Sequence, residues 1–216
     1  MRAALIERLR ETDIDGANYA YGDVRLRPLG FWPGWMLVEL RIIDDHARAT
    51  DGETVLSVVF GPDGFSPLNV GLRTFRQHTR LHGAVFTAEA ECLAYLQLYM
   101  IHAFRSGDPG WLLWPGGPVS AQDGDGSPYR PGPTEVDLGA EPPSIYDKVR
   151  APAAAVIEAD IHVAGRINRC RFRLDREGAV TILSDQTSCP VATLVPQVRL
   201  EGALRTAECP RQEGSA

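Results

Sequence analysis

The chain has 216 residues, 44% of them hydrophobic and 23% charged, with a net charge of −6. That length suits one generous domain or two small ones, and either can bury a core. The acidic balance argues against a general polyanion binder, whose affinity comes from surplus Lys and Arg.

Residues 2–11 read as a short amphipathic helix. It is charged throughout and lacks the apolar centre of a secretory leader. Strand-like runs follow at Val24–Arg27, Trp35–Ile43 and Thr54–Phe60. In the second, Met36, Val38, Leu40 and Ile42 alternate with polar positions such as Glu39 and Arg41. Asp51-Gly52 turns the chain into the third run, and Gly61-Pro62-Asp63-Gly64 ends it.

Over Leu72–His82 the basic residues Arg76, His78, Arg80 and His82 recur at every second position. Period two puts them on one face of a strand, so the segment is expected to be extended. Such a face would bind a phosphate or carboxylate, with a histidine titrating near neutrality. Were the segment helical instead, His78 and His82 would stand at i and i+4, a spacing that suits zinc. On a strand they lie about 13 Å apart and cannot share an ion. No third ligand has a persuasive spacing, so neither metal nor cofactor is expected.

Thr87 has the character of a helix N-cap, and Glu89 and Glu91 fall in the first turn, where the dipole favours carboxylates. A helix is expected over about 87–105, stopped by Ser106-Gly107 and Asp108-Pro109. Its own surface is apolar on nearly all sides, which predicts a buried, central helix. Glu91, Tyr95 and His102 share one stripe of it. In a pocket, Glu91 and His102 are the candidates for acid–base work.

Two tryptophan pairs, Trp32 with Trp35 and Trp111 with Trp114, flank Pro/Gly turns. Four such residues suit a protein-recognition patch, or else the ends of a sheet core. Residues 115–143 hold seven Pro and six Gly, a composition that builds no core of its own. The segment is expected to be a long loop, a lid or a linker. Within it, Asp123-Gly124-Asp125-Gly126-Ser127 has the look of a calcium loop, but Thr134 stands where the bidentate glutamate belongs.

The last third predicts an antiparallel meander over about 155–185. With Gly165-Arg166 as a two-residue turn, Ile161 faces Cys170, Ala159 faces Phe172 and Ile157 faces Leu174. On the other side His162, Asp160 and Glu158 face Arg169, Arg171 and Arg173. Gly178 then takes the left-handed position of a second turn, setting Leu174 against Val180 and Phe172 against Ile182. A fourth strand is expected within 191–205, with Pro196 at a sheet edge or bulge. Residues 207–216 read as a frayed tail.

These expectations amount to an α+β protein, with antiparallel meanders in both halves packed around the helix at 87–105. Its parts are a β-rich half over 1–114, the segment 115–143 and a meander over 144–206. Cys92, Cys170, Cys189 and Cys209 form no C-x-x-C pair, and no run is long enough to cross a membrane. A cytoplasmic protein is expected. Its leading role is non-catalytic protein interaction or self-association, as an adaptor, an assembly subunit or an inhibitor-like partner. The alternative is an enzyme or sensor for a small anionic metabolite. Generic nucleic acid is not expected as a partner.

Overall fold

The computed structural model describes residues 20–43, 54–67, 72–103, 110–115, 119–139, 153–195, 197–200 and 203–206, together with Glu7. Of the expected helix over 2–11 only Glu7, which is helical, is described, and the tail from 207 lies outside the described residues.

The first sheet is an antiparallel meander of β1 (Ala20–Pro28), β2 (Met36–Ile43), β3 (Thr54–Gly61) and β4 (Gly64–Pro67), in that order. Two helices follow, α1 (Leu72–His82) and α2 (Glu89–Ala103). Then come β5 (Trp111–Leu113), β6 (Ala121–Asp123), β7 (Glu135–Leu138), β8 (Ala153–Val163), β9 (Arg166–Asp175), β10 (Val180–Cys189) and β11 (Ala192–Leu194). A final hairpin pairs β12 (Gln197–Leu200) with β13 (Ala203–Thr206).

The second sheet runs β10-β9-β8, and two short strands tile the free side of β8. β5 pairs with it at Asp160–His162, and β7 pairs with it over Ala155–Glu158. β6 pairs with β11 in a two-stranded layer of its own. The segment 119–139 therefore adds strands to the body.

This arrangement overturns the expected architecture. Among the described residues the molecule is mainly antiparallel sheet, and no long central helix is wrapped by the meanders. α2 has 15 residues and packs beside a second helix, α1, in the place where a strand was expected. The period-two charge pattern of 76–82 coincided with a helical one. Phe75, His78, Thr79 and His82 stand at i, i+3, i+4 and i+7, and the first three are buried.

The β8–β9 hairpin turns at Ala164-Gly165, one residue earlier than expected, with both residues at positive φ (49° and 73°). Positive φ at both positions suits a two-residue hairpin, although Ala pays sterically for it. The pairs become Ile157 with Phe172, Ala159 with Cys170 and Asp160 with Arg169. The shift is by two residues, so each side chain keeps its expected face. The next turn is as expected: Gly178 has φ 80°, Leu174 meets Val180 and Phe172 meets Ile182.

The inner face of the second sheet supplies Ala155, Ile157, Ala159, Ile161, Cys170, Phe172 and Leu174 to the main core. Tyr95, Leu96 and Tyr99 of α2 and Phe75 of α1 pack there, with Phe31, Trp32 and Trp35 from the β1–β2 connection. A second core joins Trp111, Leu113, Ile167 and Cys189 to Val119, Ala121 and Ala192.

Tyr95 is fully buried where these parts meet. Its hydroxyl donates to the Gly178 carbonyl (2.6 Å) and lies 3.1 Å from the Thr79 hydroxyl. A Cβ on Gly178 would overlap Thr79 Cγ2 and the Tyr95 hydroxyl. Gly178→Ala combines that overlap with a left-handed backbone. It is expected to cost about 2–4 kcal/mol, read as a lower urea midpoint at unchanged slope.

Candidate functional site

The β1–β2 connection closes on itself. Leu29 N–H donates to the Trp35 carbonyl, Trp32 N–H to Leu29 and Trp35 N–H to Trp32, each at 3.0 Å. Gly34 takes φ 81° in this turn. Trp32 turns inward against Phe31 and Tyr95, with ring centroids at 5.1 and 6.1 Å. Trp35 lies over Gly61, where any Cβ would overlap its ring.

α1 inserts its histidines against these two indoles. The His78 ring centroid is 4.4 Å from Trp32, 4.3 Å from Trp35 and 4.5 Å from His82. His82 also packs on Trp35 at 4.5 Å, and its Nδ1 is 3.4 Å from Asp63 Oδ2 in the β3–β4 turn. His78 is 4% exposed, and its Nε2 has no hydrogen-bond partner, nor has Trp32 Nε1. Burial, with the neighbouring His82 as the lesser cause, pushes the His78 pKa down to about 4. The cluster therefore holds a neutral imidazole in an aromatic setting.

The other members of the expected basic strip go elsewhere. Arg76 donates to the Tyr99 hydroxyl (2.9 Å), with its guanidinium 5.9 Å from the Tyr99 ring centre. Arg80 points to solvent. Helical geometry thus splits the four residues between a buried face and an exposed one, and no common anion-binding wall forms. The helix does bring His78 and His82 to the i, i+4 spacing. Among the described residues, no group of three or more His, Cys, Asp or Glu is placed to hold an ion.

Glu91 caps α2. Its carboxylate accepts from Thr87 N–H (2.7 Å), the Thr87 hydroxyl (2.9 Å) and Ala88 N–H (3.0 Å). The Thr87 backbone N–H first, then the Thr87 hydroxyl and Ala88 N–H, hold its pKa below the ordinary range. His102 falls within α2, but its side chain lies outside the described residues. Trp111 is buried in the second core, and Trp114 is half-buried beside the main one. With Trp32 and Trp35 also buried, the four tryptophans form no continuous exposed patch.

Sequence reasoning missed a second polar centre, at Asp160. This carboxylate is buried and accepts from Gly132 N–H (2.8 Å) and the Tyr129 hydroxyl (3.1 Å). Arg169 reaches Asp160 at 3.5 Å and donates to Glu158 at 2.9 Å. Burial, and then the charge of Asp160, push the Tyr129 pKa up to about 12. A half-open cleft of about 210 Å³ adjoins Tyr129, lined also by Leu113, Trp114, Val119 and Pro131. The sequence signal for this centre was a carboxylate on the face opposite Ile157, Ala159 and Ile161, with an arginine across the hairpin. Its other partners are 28 and 31 residues away, beyond any local pattern.

No match to this chain is found among protein-family models, curated proteins or solved structures. The residues alone therefore carry the functional argument.

Asp160 anchors the Pro/Gly segment to the sheet. Asp160→Ala leaves Arg169, Gly132 N–H and the Tyr129 hydroxyl short of an acceptor. A loss of about 3 kcal/mol is expected, with faster proteolysis within 119–139. An unchanged denaturation midpoint would show that the anchor is idle.

Proposed function

We propose that the protein is a non-catalytic interaction module that docks on another protein or on a second copy of itself. The observation that carries this is β10. Among the described residues it has a neighbour on one side alone, and every residue from Ile182 to Ser188 is exposed. Ile182 is 54% and Leu183 38% exposed, and Val191, just beyond the strand, is 61% exposed. Apolar side chains beside Ser184, Gln186, Thr187 and Ser188 suit a partner surface of mixed character.

Two bulges, at Ile182/Ser184 and Thr187/Cys189, interrupt the β10–β9 ladder. Bulges twist an edge away from unlimited strand addition. The partner is therefore gripped through side chains more than through a long backbone ladder.

The candidate chemistry supports this reading by its occupations. Glu91 caps a helix, Arg76 bonds Tyr99, and Asp160 holds a loop. The rival role, a small-anion enzyme or sensor, rested on one strand face bearing Arg76, His78, Arg80 and His82, and α1 removes that premise. Generic nucleic acid is not proposed, since the net charge is −6 and Arg173 of the second basic strip is buried.

No helix among the described residues is long and apolar enough to cross a membrane. Cys92, Cys170 and Cys189 are free, which supports a reducing compartment such as the cytoplasm.

Light scattering across a dilution series tests the proposal. Wild type is expected to show concentration-dependent mass, and Ile182→Asp/Leu183→Asp to lose it at unchanged melting temperature. A monomer at every concentration that also captures no host protein in a pull-down would overturn the role. So would association that the double variant leaves intact.

A further inference from the structure

We infer that His78 is a proton-operated latch: its neutral imidazole holds α1 against the Trp32–Trp35 connection, and protonation releases the helix. The inference stands on the packing and does not depend on the identity of a partner.

The groups facing His78 offer a cation almost nothing. From the β1–β2 connection come two indoles, Trp32 and Trp35, in edge-on contact at 62° and 86°. From α2 comes Tyr95, which packs on Trp32 and whose hydroxyl burial holds in its neutral form. On α1 itself His82 adds positive charge when protonated, and Arg76 bonds away toward Tyr99. The β3–β4 turn supplies a carboxylate, Asp63, which is 70% exposed and directed at His82 Nδ1. An imidazolium at His78 would thus keep a buried Nε2–H without an acceptor, and contact with the two indoles offsets a part of that cost.

The sign follows from linkage. The docked His78 has a pKa near 4 against 6.5 when free, so the released state binds the proton more tightly. Its contribution to docking is complete above the free value. That contribution is lost as pH falls from 6.5 toward 4. Release would bare Trp32, Trp35 and Phe75, now 0–5% exposed. Acid would thereby expose apolar rings of the β1–β2 connection that the neutral protein keeps buried.

Tryptophan fluorescence and far-ultraviolet circular dichroism of the full chain, followed from neutral pH to pH 4, test this. Wild type is expected to red-shift its emission while the strand signal persists. His78→Phe keeps a ring in the cluster without a titrating group, and His78→Gln keeps polarity without one. Whichever variant folds is expected to lack the transition. Histidine ring resonances give a check that needs no variant, with His78 titrating well below 6.5. The latch is overturned by constant wild-type emission, by simultaneous loss of both signals, by a transition that survives in a folded variant, or by His78 titrating near 6.5.

Discussion

The fully buried Tyr95 hydroxyl is the joint on which the two halves of the molecule turn. It bonds the Gly178 carbonyl of the β9–β10 turn and sits beside the Thr79 hydroxyl of α1, while its own backbone belongs to α2. Two consecutive helices and a turn 83 residues further on thus meet at one oxygen. Around it, Phe31, Trp32, Phe75 and Phe86 present their rings at 5.0–6.1 Å. An apolar setting raises the stakes of that hydroxyl. Satisfied, it specifies one arrangement, and unsatisfied it would cost more than the same bond in water. The backbone carbonyl that accepts it is available because Gly178 has no side chain in the way.

Aromatic packing then propagates outward. Trp32 carries the β1–β2 connection onto Tyr95, and Trp35 carries it onto His78, His82 and Gly61. The first sheet is held to the helices mainly by rings, which give area and orientation but few directional bonds. On the opposite side of the second sheet the logic is reversed. There a buried carboxylate, Asp160, collects donors from the Pro/Gly segment, so that a stretch with little apolar content is held by polar bonds. One sheet is thus gripped by different chemistry on its two sides.

Features set by neighbours in the chain were legible before the structure. The acidic first turn of α2 at Glu89 and Glu91, the left-handed Gly178 and the pairing of Phe172 with Ile182 all rest on relations within a few residues. The β8–β9 register was legible in its faces but not in its pairs, because Ala164 takes a left-handed conformation that its side chain disfavours. In α1 the alternating charge points to a strand, while the buried Phe75, His78 and Thr79 carry the helical spacing that prevails. The Trp–His cluster makes ring contacts between residues 46 and 47 positions apart, and no spacing rule anticipates it. The tryptophans invited a surface role, yet burial of indole area is what the core needed from them.

The tiling of β8 has a consequence for how the chain acquires its shape. β7 pairs with the strand that follows it, β8, but β5 forms no ladder with its neighbours in sequence and pairs with β8 beyond β6 and β7. Trp111 finds its partner 51 residues later, at His162, whereas β1 to β4 close through short hairpins and connections. On a chain emerging from its N-terminus, the first sheet can close early. Trp111, Leu112 and Leu113 must wait until Asp160–His162 has been made. That places the slow, non-local step of folding in the second sheet. During that interval the waiting apolar strand is open to mispairing, and short length is its chief protection.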